Sequence, residues 1–365
     1  MQILIIEQYN HFKVLENTYH LLVKHYSPHF YINKDRSNNK EMLFPSSKSA
    51  TVIINPAHLI LFYIWPLLNG WKYKYINIST GPECSDYWEF FNVVFFYLFC
   101  LMYGNRIILT IKNTRSYLKS TPGLFSFIRN RAIKKINKLV FETKTMGEIF
   151  RENERVENCK ISAVYDRYTD LLDNDTSRDS LLRTDNKIRI GLLGMIDPLR
   201  RDYDVIYEVI RSLSENERSL LQFVTLGACE EGANNKIIRK LQEYVEIDLL
   251  KGWISTEEFD IRGTSCDLLI APLKESMEYG TYKGSGSLGD AVYLRRKIIL
   301  PSHVDSAEEF KEIAVYYNNE KELLGILRNA KELSQDKVAD RFYEKFTTKN
   351  VYNNLIKDLG CEKKR

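Results

Sequence analysis

The sequence has few cysteines and histidines, and they are not clustered. Among 365 residues there are six of each, with no Cys-x-x-Cys pair and no cysteine at metal-site spacing from a histidine. This pattern argues against a structural zinc site and against a disulfide framework, so we expect no metal and no cofactor. The cysteines are Cys84, Cys100, Cys159, Cys229, Cys266 and Cys361.

A strong excess of one charge is also missing from the composition. The formal net charge is +4, and the basic residues are spread along the chain. Nothing here demands a nucleic-acid partner. The length suits two domains of ordinary size, and a hydrophobic fraction of 44% is enough to form their cores.

Targeting and membrane-spanning signals are weak. The start, "MQILIIEQYN", has no basic segment followed by a long apolar one, and we interpret it as the first strand of a cytoplasmic protein. The longest apolar stretch, residues 86–104, contains Glu89 and Asn92 and is at the lower length limit for a membrane span. We interpret it as a buried or membrane-facing helix of an α/β domain.

Short apolar runs alternate with helix-length segments along both halves of the chain. This alternation predicts parallel sheets covered by helices on both faces. We therefore predict two doubly wound Rossmann-like domains that face a central cleft. The predicted boundaries are 1–165 for the N-terminal domain, 166–187 for a polar linker, 188–345 for the C-terminal domain, and 346–365 for a helix that crosses back to the N-terminal domain.

A glycine motif, "GSGSLG" at residues 284–289, raises the question of a bound nucleotide. Its glycines match the G-x-G-x-x-G dinucleotide fingerprint, and Asp305 or Glu308 lies near the spacing of a ribose-binding acid. The predicted strand before it ends near Leu273, however, which is too far away for the tight turn of that fingerprint. A phosphate cradle at a helix N-terminus is the favoured interpretation, and a purely structural glycine turn is the alternative.

The C-terminal half resembles the GT-B glycosyltransferases, particularly family four and its relatives. The matching segments are "CDLLIAPL", the glycine–serine turn, "LGDAVYLRRKIILPS", "IGLLGMIDPLRRDYDVIYEVI" and "LLKGWISTEEF". The resemblance implies contacts to a nucleotide-sugar donor from a basic residue before a helix, from the glycine–serine turn, from an acid of the E-x7-E motif, and from a turn near the base. The implied residues are Gly194, Arg200, Arg201, Gly252, Trp253, Ile254, Lys283, Gly284, Ser285, Gly286, Ser287, Leu288 and Asp290.

The sequence differs from that family at several positions. Tyr282 stands where the first glutamate of E-x7-E would fall, and Lys112 and Asn113 stand where relatives often carry a histidine. A glycine-rich turn does not follow the first strand. For the acceptor side we favour His11 and Glu83 among four polar residues at predicted strand ends, the others being Glu7 and His58.

Residues 123–139 form a predicted amphipathic helix with a basic polar face, which can lie on an anionic membrane surface or pack on a sheet. The resemblance implies a cytoplasmic, metal-independent glycosyltransferase, and together with the basic helix it implies a role in bacterial surface polysaccharide assembly, where the protein can lie at the inner face of the membrane. By the resemblance it retains the anomeric configuration and uses a glycan or lipid-linked glycan acceptor. A sugar-nucleotide 2-epimerase and a non-catalytic nucleotide-sugar-binding subunit are the alternatives.

Overall fold

A computed structural model describes residues 2–7, 12–33, 51–55, 62–80, 89–115, 124–154, 156, 160–163, 167–172, 186–229, 233–250, 252 and 254–356. The chain divides into two compact units. The first unit contains residues 1–166, 281–284 and 348–365, and the second contains 167–280 and 285–347.

The first unit is built on a parallel sheet of seven strands in the order β3-β2-β1-β4-β5-β6-β7. Strands such as β4 are buried along their whole length, as expected for a sheet covered by helices on both faces. The strands are β1 (Gln2–Glu7), β2 (Ser27–Asn33), β3 (Thr51–Asn55), β4 (Tyr75–Thr80), β5 (Ile107–Thr110), β6 (Lys138–Phe141) and β7 (Lys160–Ala163).

Helices connect these parallel strands because a crossover is needed between neighbours that run in the same direction. A large aromatic cluster fills the core between α2, α3 and the sheet, with Tyr63, Phe96 and Phe99 packed together. The helices are α1 (Phe12–Leu22), α2 (Ile64–Asn69), α3 (Glu89–Tyr103), α4 (Leu124–Lys135) and α5 (Lys144–Glu154).

The second unit repeats the design with six parallel strands in the order β10-β9-β8-β11-β12-β13. Counted within the unit this is the order 3-2-1-4-5-6, the doubly wound arrangement of Rossmann folds. The strands are β8 (Ile188–Leu193), β9 (Leu221–Leu226), β10 (Glu246–Asp248), β11 (Leu268–Ile270), β12 (Lys297–Pro301) and β13 (Ala314–Tyr317).

Capping residues mark the starts of several helices of this unit. Asp202, Ser255, Ser285 and Asn319 each accept a hydrogen bond from a backbone N–H of the first turn. The helices are α6 (Tyr203–Ser212), α7 (Glu215–Ser219), α8 (Ala233–Gln242), α9 (Thr256–Ser265), α10 (Gly286–Leu294), α11 (Glu320–Arg328), α12 (Ala330–Gln335) and α13 (Asp340–Glu344). The predicted fold class of two doubly wound α/β domains is confirmed.

The last helix of the described residues is α14 (Thr348–Ile356), which belongs to the first unit. It packs on α1, and the rings of His25 and Tyr352 stack 3.9 Å apart. The fully buried Lys138 donates hydrogen bonds from Nζ to the carbonyls of Asn354 and Leu355 at 2.8 and 3.0 Å. A lysine at these carbonyls favours the helix because it complements the negative end of the helix dipole.

The start of the predicted linker is bound to the second unit. Thr169 donates its backbone N–H to Phe346 O at 3.2 Å and its hydroxyl to Tyr343 O at 3.1 Å. Residues 167–172 are therefore an anchored segment, while residues 173–185 lie outside the described residues.

The predicted amphipathic helix is α4, and its apolar side is used inside the first unit. Ala132, Ile133 and Ile136 are buried in the core. The basic Arg129 is also buried and donates from Nη2 to both carboxylate oxygens of Glu154 at 2.8 and 2.9 Å. Burial raises the pKa of Glu154, although Arg129 opposes the shift.

Candidate functional site

The carboxyl edge of the second sheet has a topological switch point between β8 and β11. These two strands are neighbours, and the strand order runs in opposite directions on their two sides. Ligands of doubly wound sheets bind at the carboxyl ends of the strands at such a point. The loops that follow β8 and β11 are therefore the first place to search for a site.

Backbone hydrogen bonds join these two loops directly. Asp202 N donates to Pro272 O at 2.7 Å, and Lys274 N donates to Arg200 O at 3.1 Å. The side chain of Lys274 also donates from Nζ to Pro198 O at 2.7 Å. The loop from residue 194 to residue 202 is thus held in one conformation beside the end of β11.

Arg201 is the central cation of this loop. It is 8% exposed, and its guanidinium donates from Nε to Leu193 O at 3.0 Å and from Nη1 to Met195 O at 2.8 Å. In the part of the chain that the structure describes, Arg201 forms no ion pair with a carboxylate. Its positive charge is therefore fixed at the edge of the sheet by neutral carbonyl groups.

Two glycines make room for this arginine. Gly194 has φ +75°, and a Cβ added there would lie 2.0 Å from Nη2 of Arg201. Gly227, which follows β9, packs on it so closely that an added Cβ would lie 2.3 Å from the carbonyl carbon of Gly194. The sequence analysis selected Gly194 and missed Gly227, although each glycine follows directly on an apolar strand.

The neighbouring Arg200 differs from Arg201. Its side chain is 43% exposed and lies 3.5 Å from the carboxylate of Asp197. An exposed pair of this kind contributes little to stability and is screened by salt. Of the two adjacent arginines, only Arg201 is held rigidly at the switch point.

The glycine–serine turn crosses the boundary between the units. Lys283 and Gly284 belong to the first unit, where Gly284 N donates to Lys112 O at 2.9 Å and Lys283 forms a β-bridge with Asn113. A Cβ on Gly284 would lie 1.9 Å from Oε2 of Glu142. The close approach of backbone to side chain explains the glycine at this position.

Ser285 begins the second-unit part of the turn as the N-cap of α10, and its hydroxyl accepts from Ser287 N at 3.4 Å. Gly286 is exposed, and a Cβ added to it would meet open space. Ser287 and Leu288 are buried. Since fifteen residues separate the end of β11 at Ile270 from the start of α10 at Gly286, the tight turn of the dinucleotide fingerprint is missing here.

The acid expected to contact the donor ribose, Asp290, forms an ion pair inside the second unit. Its Oδ1 lies 2.5 Å from Nε of Arg167, and both side chains are 16% exposed. The guanidinium of Arg167 stacks over Phe259 at 4.2 Å and over Tyr293 at 5.1 Å from the ring centroids. Sequence reasoning missed Arg167 because it lies in a polar stretch with no periodic pattern.

The turn assigned to the nucleoside base is described in part. Gly252 is exposed with φ +82° and forms a β-bridge with Cys229. Ile254 is half-buried, and Trp253 lies outside the described residues. The positive φ accounts for glycine at 252, since other residues adopt this conformation at a cost.

A cavity of about 510 Å³ lies beside the joined loops in the second unit, a volume within the usual range of small-molecule sites. His303 is among its polar residues, and burial lowers the pKa of this imidazole while Glu275 opposes the shift. The lining residues are Asp202, Val205, Leu273, Lys274, Glu275, Ser276, Pro301, Ser302, His303, Tyr317, Asn318 and Asn319.

The corresponding edge of the first sheet contains a buried acid. Glu7, the last residue of β1, is 1% exposed and accepts a hydrogen bond from the hydroxyl of Thr80 at 2.8 Å. Thr80 ends β4, the neighbour of β1 at that sheet's own switch point. The predicted acceptor-side residues His11, His58 and Glu83 lie outside the described residues.

Asp305, the acid at the ribose spacing of the dinucleotide motif, has a structural role. It is 4% exposed and accepts from Glu309 N at 2.9 Å, from Phe310 N at 2.8 Å and from the hydroxyl of Tyr316 at 2.5 Å. These bonds fix the loop that follows β12. The side chain is committed to that loop and not to a bound ribose.

The described residues contain neither a candidate membrane span nor a candidate metal-binding cluster. No helix there combines the length and the apolar character needed to cross a membrane. No group of three or more histidines, cysteines or acids was found that could hold a metal ion in that same part of the chain.

No family model matches the sequence, and no curated protein matches it. Solved structures match over almost the whole chain. A trehalose-6-phosphate synthase, studied for glycosyl transfer with retention, is 10% identical with a TM-score of 0.62, and the match covers 98% of this chain and 99% of that one. WaaG, a glycosyltransferase involved in lipopolysaccharide biosynthesis, is 12% identical with a TM-score of 0.57 and full coverage of both chains.

A proposed UDP-N-acetylglucosamine 2-epimerase from Listeria monocytogenes is 10% identical with a TM-score of 0.52, covering 98% of this chain and 93% of that one. At these identities the likeness establishes the fold and nothing finer. The chain has the GT-B fold, in which two Rossmann-like α/β domains follow one another along the sequence.

Proposed function

We propose that the protein is a glycosyltransferase that moves a sugar from a nucleotide diphosphate donor to a glycan acceptor, with a role in bacterial surface polysaccharide assembly. The observation that carries this proposal is Arg201, a guanidinium fixed at the switch point of the second sheet by neutral carbonyls. A fixed cation that pairs with no carboxylate among the described residues suits an anionic ligand such as a diphosphate.

Transfer from such a donor requires stabilisation of the diphosphate as negative charge develops on the leaving oxygen. Preoriented cations and N–H groups supply that stabilisation without reorganising during the reaction. In our proposal Arg201 binds the diphosphate, and Lys283 and the N–H groups at the start of α10 contribute further. With these groups the leaving group is stabilised without a metal ion.

Donor specificity is proposed to come from the turn at Gly252 and from Asp290. Gly252 has a positive φ and is exposed, so that its backbone can meet a base, while Asp290 is held in place by Arg167.

Retention of anomeric configuration is proposed from the family resemblance. The trehalose-6-phosphate synthase with the same fold is described by that stereochemistry.

The acceptor is proposed to bind at the carboxyl edge of the first sheet. Glu7 ends β1 at the switch point there and is hydrogen-bonded to Thr80. His11 and Glu83 follow the same two strands closely in the sequence. We propose that these three residues orient the acceptor hydroxyl, and that the reaction takes place in the cytoplasm.

A sugar-nucleotide 2-epimerase is the second candidate, because a proposed enzyme of that activity has the same fold. Incubation with the donor alone separates the two activities. An epimerase converts the sugar nucleotide without an acceptor, whereas a transferase releases nucleotide in proportion to the acceptor consumed. Conversion of donor alone to an isomer would overturn the transferase proposal.

The first experiment is a thermal-shift screen of the purified protein with UDP-, GDP-, dTDP- and CMP-sugars, with NADH as a comparison. We expect one nucleotide family to raise the melting temperature, because binding to the folded state alone stabilises it by about 2.7 kcal/mol at one hundred times Kd. Arg201→Ala should abolish this rise. Arg200→Ala, the matched control on an exposed and paired arginine, should retain it.

The melting temperature of each variant without ligand is measured first, since Arg201 also fixes its own loop. A nucleotide response that survives Arg201→Ala would show that the diphosphate does not bind here. Stabilisation by NADH alone would mean that the glycine motif serves a dinucleotide. Binding of a sugar nucleotide without turnover, with any acceptor tested, would indicate the non-catalytic subunit.

A further inference from the structure

The first unit exposes large apolar side chains on three neighbouring helical segments. Leu68 on α2 is 67% exposed, Trp71 in the turn after it 65%, Met102 on α3 58% and Phe127 on α4 61%. Scattered exposed apolar residues are ordinary, but several on one layer of helices mark a docking surface. We call these four residues the apolar patch.

Contacts among the three segments place them side by side. An added Cβ on Gly70, between Leu68 and Trp71, would lie 2.9 Å from the ring of Tyr103 on α3. Beyond α3, an added Cβ on Gly104 would lie 2.7 Å from Lys135 O at the end of α4. α3 therefore lies between α2 and α4, with Met102 on its outer side.

The side chains of α4 support the same arrangement. Its buried residues face the sheet and α3, so the apolar face predicted to meet a membrane is covered. Phe127 points away from that core. Arg131 and Lys134, on the same helix, are also exposed, which places charge next to the patch.

The sequence around the patch is depleted in acids. Residues 42–141 contain twelve lysines and arginines and three acids, Glu83, Asp86 and Glu89, an excess of nine positive charges in a chain whose net charge is +4. In the segments that carry the patch, 62–80, 89–115 and 124–137, Glu89 at the start of α3 is the single acid. Of these cations, Arg129 and Lys138 are buried, and the exposed ones in the described residues include Lys72, Lys74, Arg131, Lys134 and Lys135.

We infer that this face of the first unit docks on an anionic lipid bilayer. In this arrangement the apolar patch enters the interfacial region, where tryptophan is favoured, and the surrounding cations bind lipid headgroups. Exposed apolar residues combined with exposed cations in segments poor in acids fit that environment. The inference does not depend on the proposed glycosyl transfer.

A second copy of the chain fits the same surface poorly. A twofold contact through the patch would place like-charged surfaces against each other, because a twofold interface pairs each surface with itself. The repulsion would be strongest at low salt. An anionic bilayer is instead attracted by the same charges. The affinity of the protein for such a bilayer should therefore fall as salt is added.

The test is flotation of the full-length protein with vesicles of phosphatidylcholine alone and of phosphatidylcholine containing phosphatidylglycerol. We expect binding to the anionic vesicles only. Arg131→Gln with Lys134→Gln should weaken it about fivefold for each charge removed. Leu68→Ser with Trp71→Ser should weaken it at least about tenfold, because burial of both side chains is lost.

Matched controls come from the second unit. Lys311→Gln with Lys331→Gln removes two exposed cations, and Leu220→Ser with Ile261→Ser removes two exposed apolar side chains. Both control pairs should bind vesicles like the unaltered protein. The melting temperature and the nucleotide response of every variant are measured in parallel, which separates docking from the proposed function.

Three outcomes would overturn the inference. The first is absence of binding to anionic vesicles, and the second is equal loss of binding in patch and control variants. The third is a dimer in solution that the patch variants convert to a monomer while vesicle binding is unchanged, which would assign the surface to a second copy.

Discussion

The ion pair between Arg167 and Asp290 gives a quantitative prediction about the second unit. Both side chains are 16% exposed and their closest atoms are 2.5 Å apart. Breaking a fully buried pair by removing one partner costs about 3–5 kcal/mol. Because this pair is partly exposed, we expect Arg167→Met to lower the free energy of unfolding by about 3 kcal/mol, a value that includes about 1 kcal/mol from stacking on Phe259 and Tyr293.

Asp290→Asn should cost less, about 2 kcal/mol, because the amide oxygen still accepts a hydrogen bond from the arginine. If the two side chains are coupled, the double variant should lower the free energy of unfolding by about 3 kcal/mol, which is less than the sum of the two single effects. Arg167→Lys should give an intermediate value. It keeps the charge but loses the planar group that stacks on the rings.

The assay is urea unfolding followed by circular dichroism, with the unaltered protein and the four variants compared at one pH and salt concentration. Arg200→Met is the control, and its exposed pair with Asp197 should change stability by no more than about 0.5 kcal/mol. Strict additivity of Arg167→Met and Asp290→Asn would refute the coupling. A cost for Arg167→Met as small as that of the control would refute its structural role.

Two further predictions concern local geometry and pH. Gly194→Ala should destabilise the protein by at least about 2 kcal/mol and weaken nucleotide binding, because it combines a strained positive φ with a clash at Arg201. The control is Gly325→Ala, whose Cβ meets open space. It should be neutral or stabilising in thermal unfolding. The pKa of Glu154 is raised by burial, so the folded chain binds a proton there more tightly than the unfolded chain, and stability should fall as pH rises above the usual value near 4.5. Glu154→Gln should flatten this slope in urea unfolding above the usual value near 4.5, and an unchanged slope would contradict the burial argument.

Much of the fold follows from apolar runs in the sequence. Strands buried on both faces, such as β1 and β4, appear as continuous β-branched stretches. Strand β2 does not stand out as an apolar run, because "SPHFYIN" begins with a serine and a proline and contains a histidine, a composition that favours edges and turns. It nevertheless pairs on both sides, with β1 and β3.

Helix α9 also has a weak signal in the sequence, for a different reason. Its sequence, "TEEFDIRGTS", has a weak apolar pattern and an internal glycine. A local signal was nonetheless available, since Ser255 precedes it with Glu258 three residues later, and Glu258 N donates to the serine hydroxyl at 3.1 Å. Gly263 is explained by the contact with Leu294, 2.6 Å from its added Cβ, which only the tertiary structure reveals.

The candidate site was predictable to the extent that it depends on chain order. A strand, a glycine and a basic residue before a helix identify Gly194 and Arg201 without coordinates. Gly227 and Arg167 act through contacts between segments that are distant in the sequence. A single sequence does not specify those neighbours, and so the tertiary structure was needed to find them.

The combination of Gly194 and Arg201 explains why lysine would be a poor substitute at position 201. The guanidinium uses two nitrogens to bind its own loop and still presents the third beside the glycine. A lysine has one nitrogen, which would have to choose between the loop carbonyls and a ligand. Because the arginine is held before any ligand arrives, little side-chain entropy is lost on binding, and its charge is already directed to the edge of the sheet.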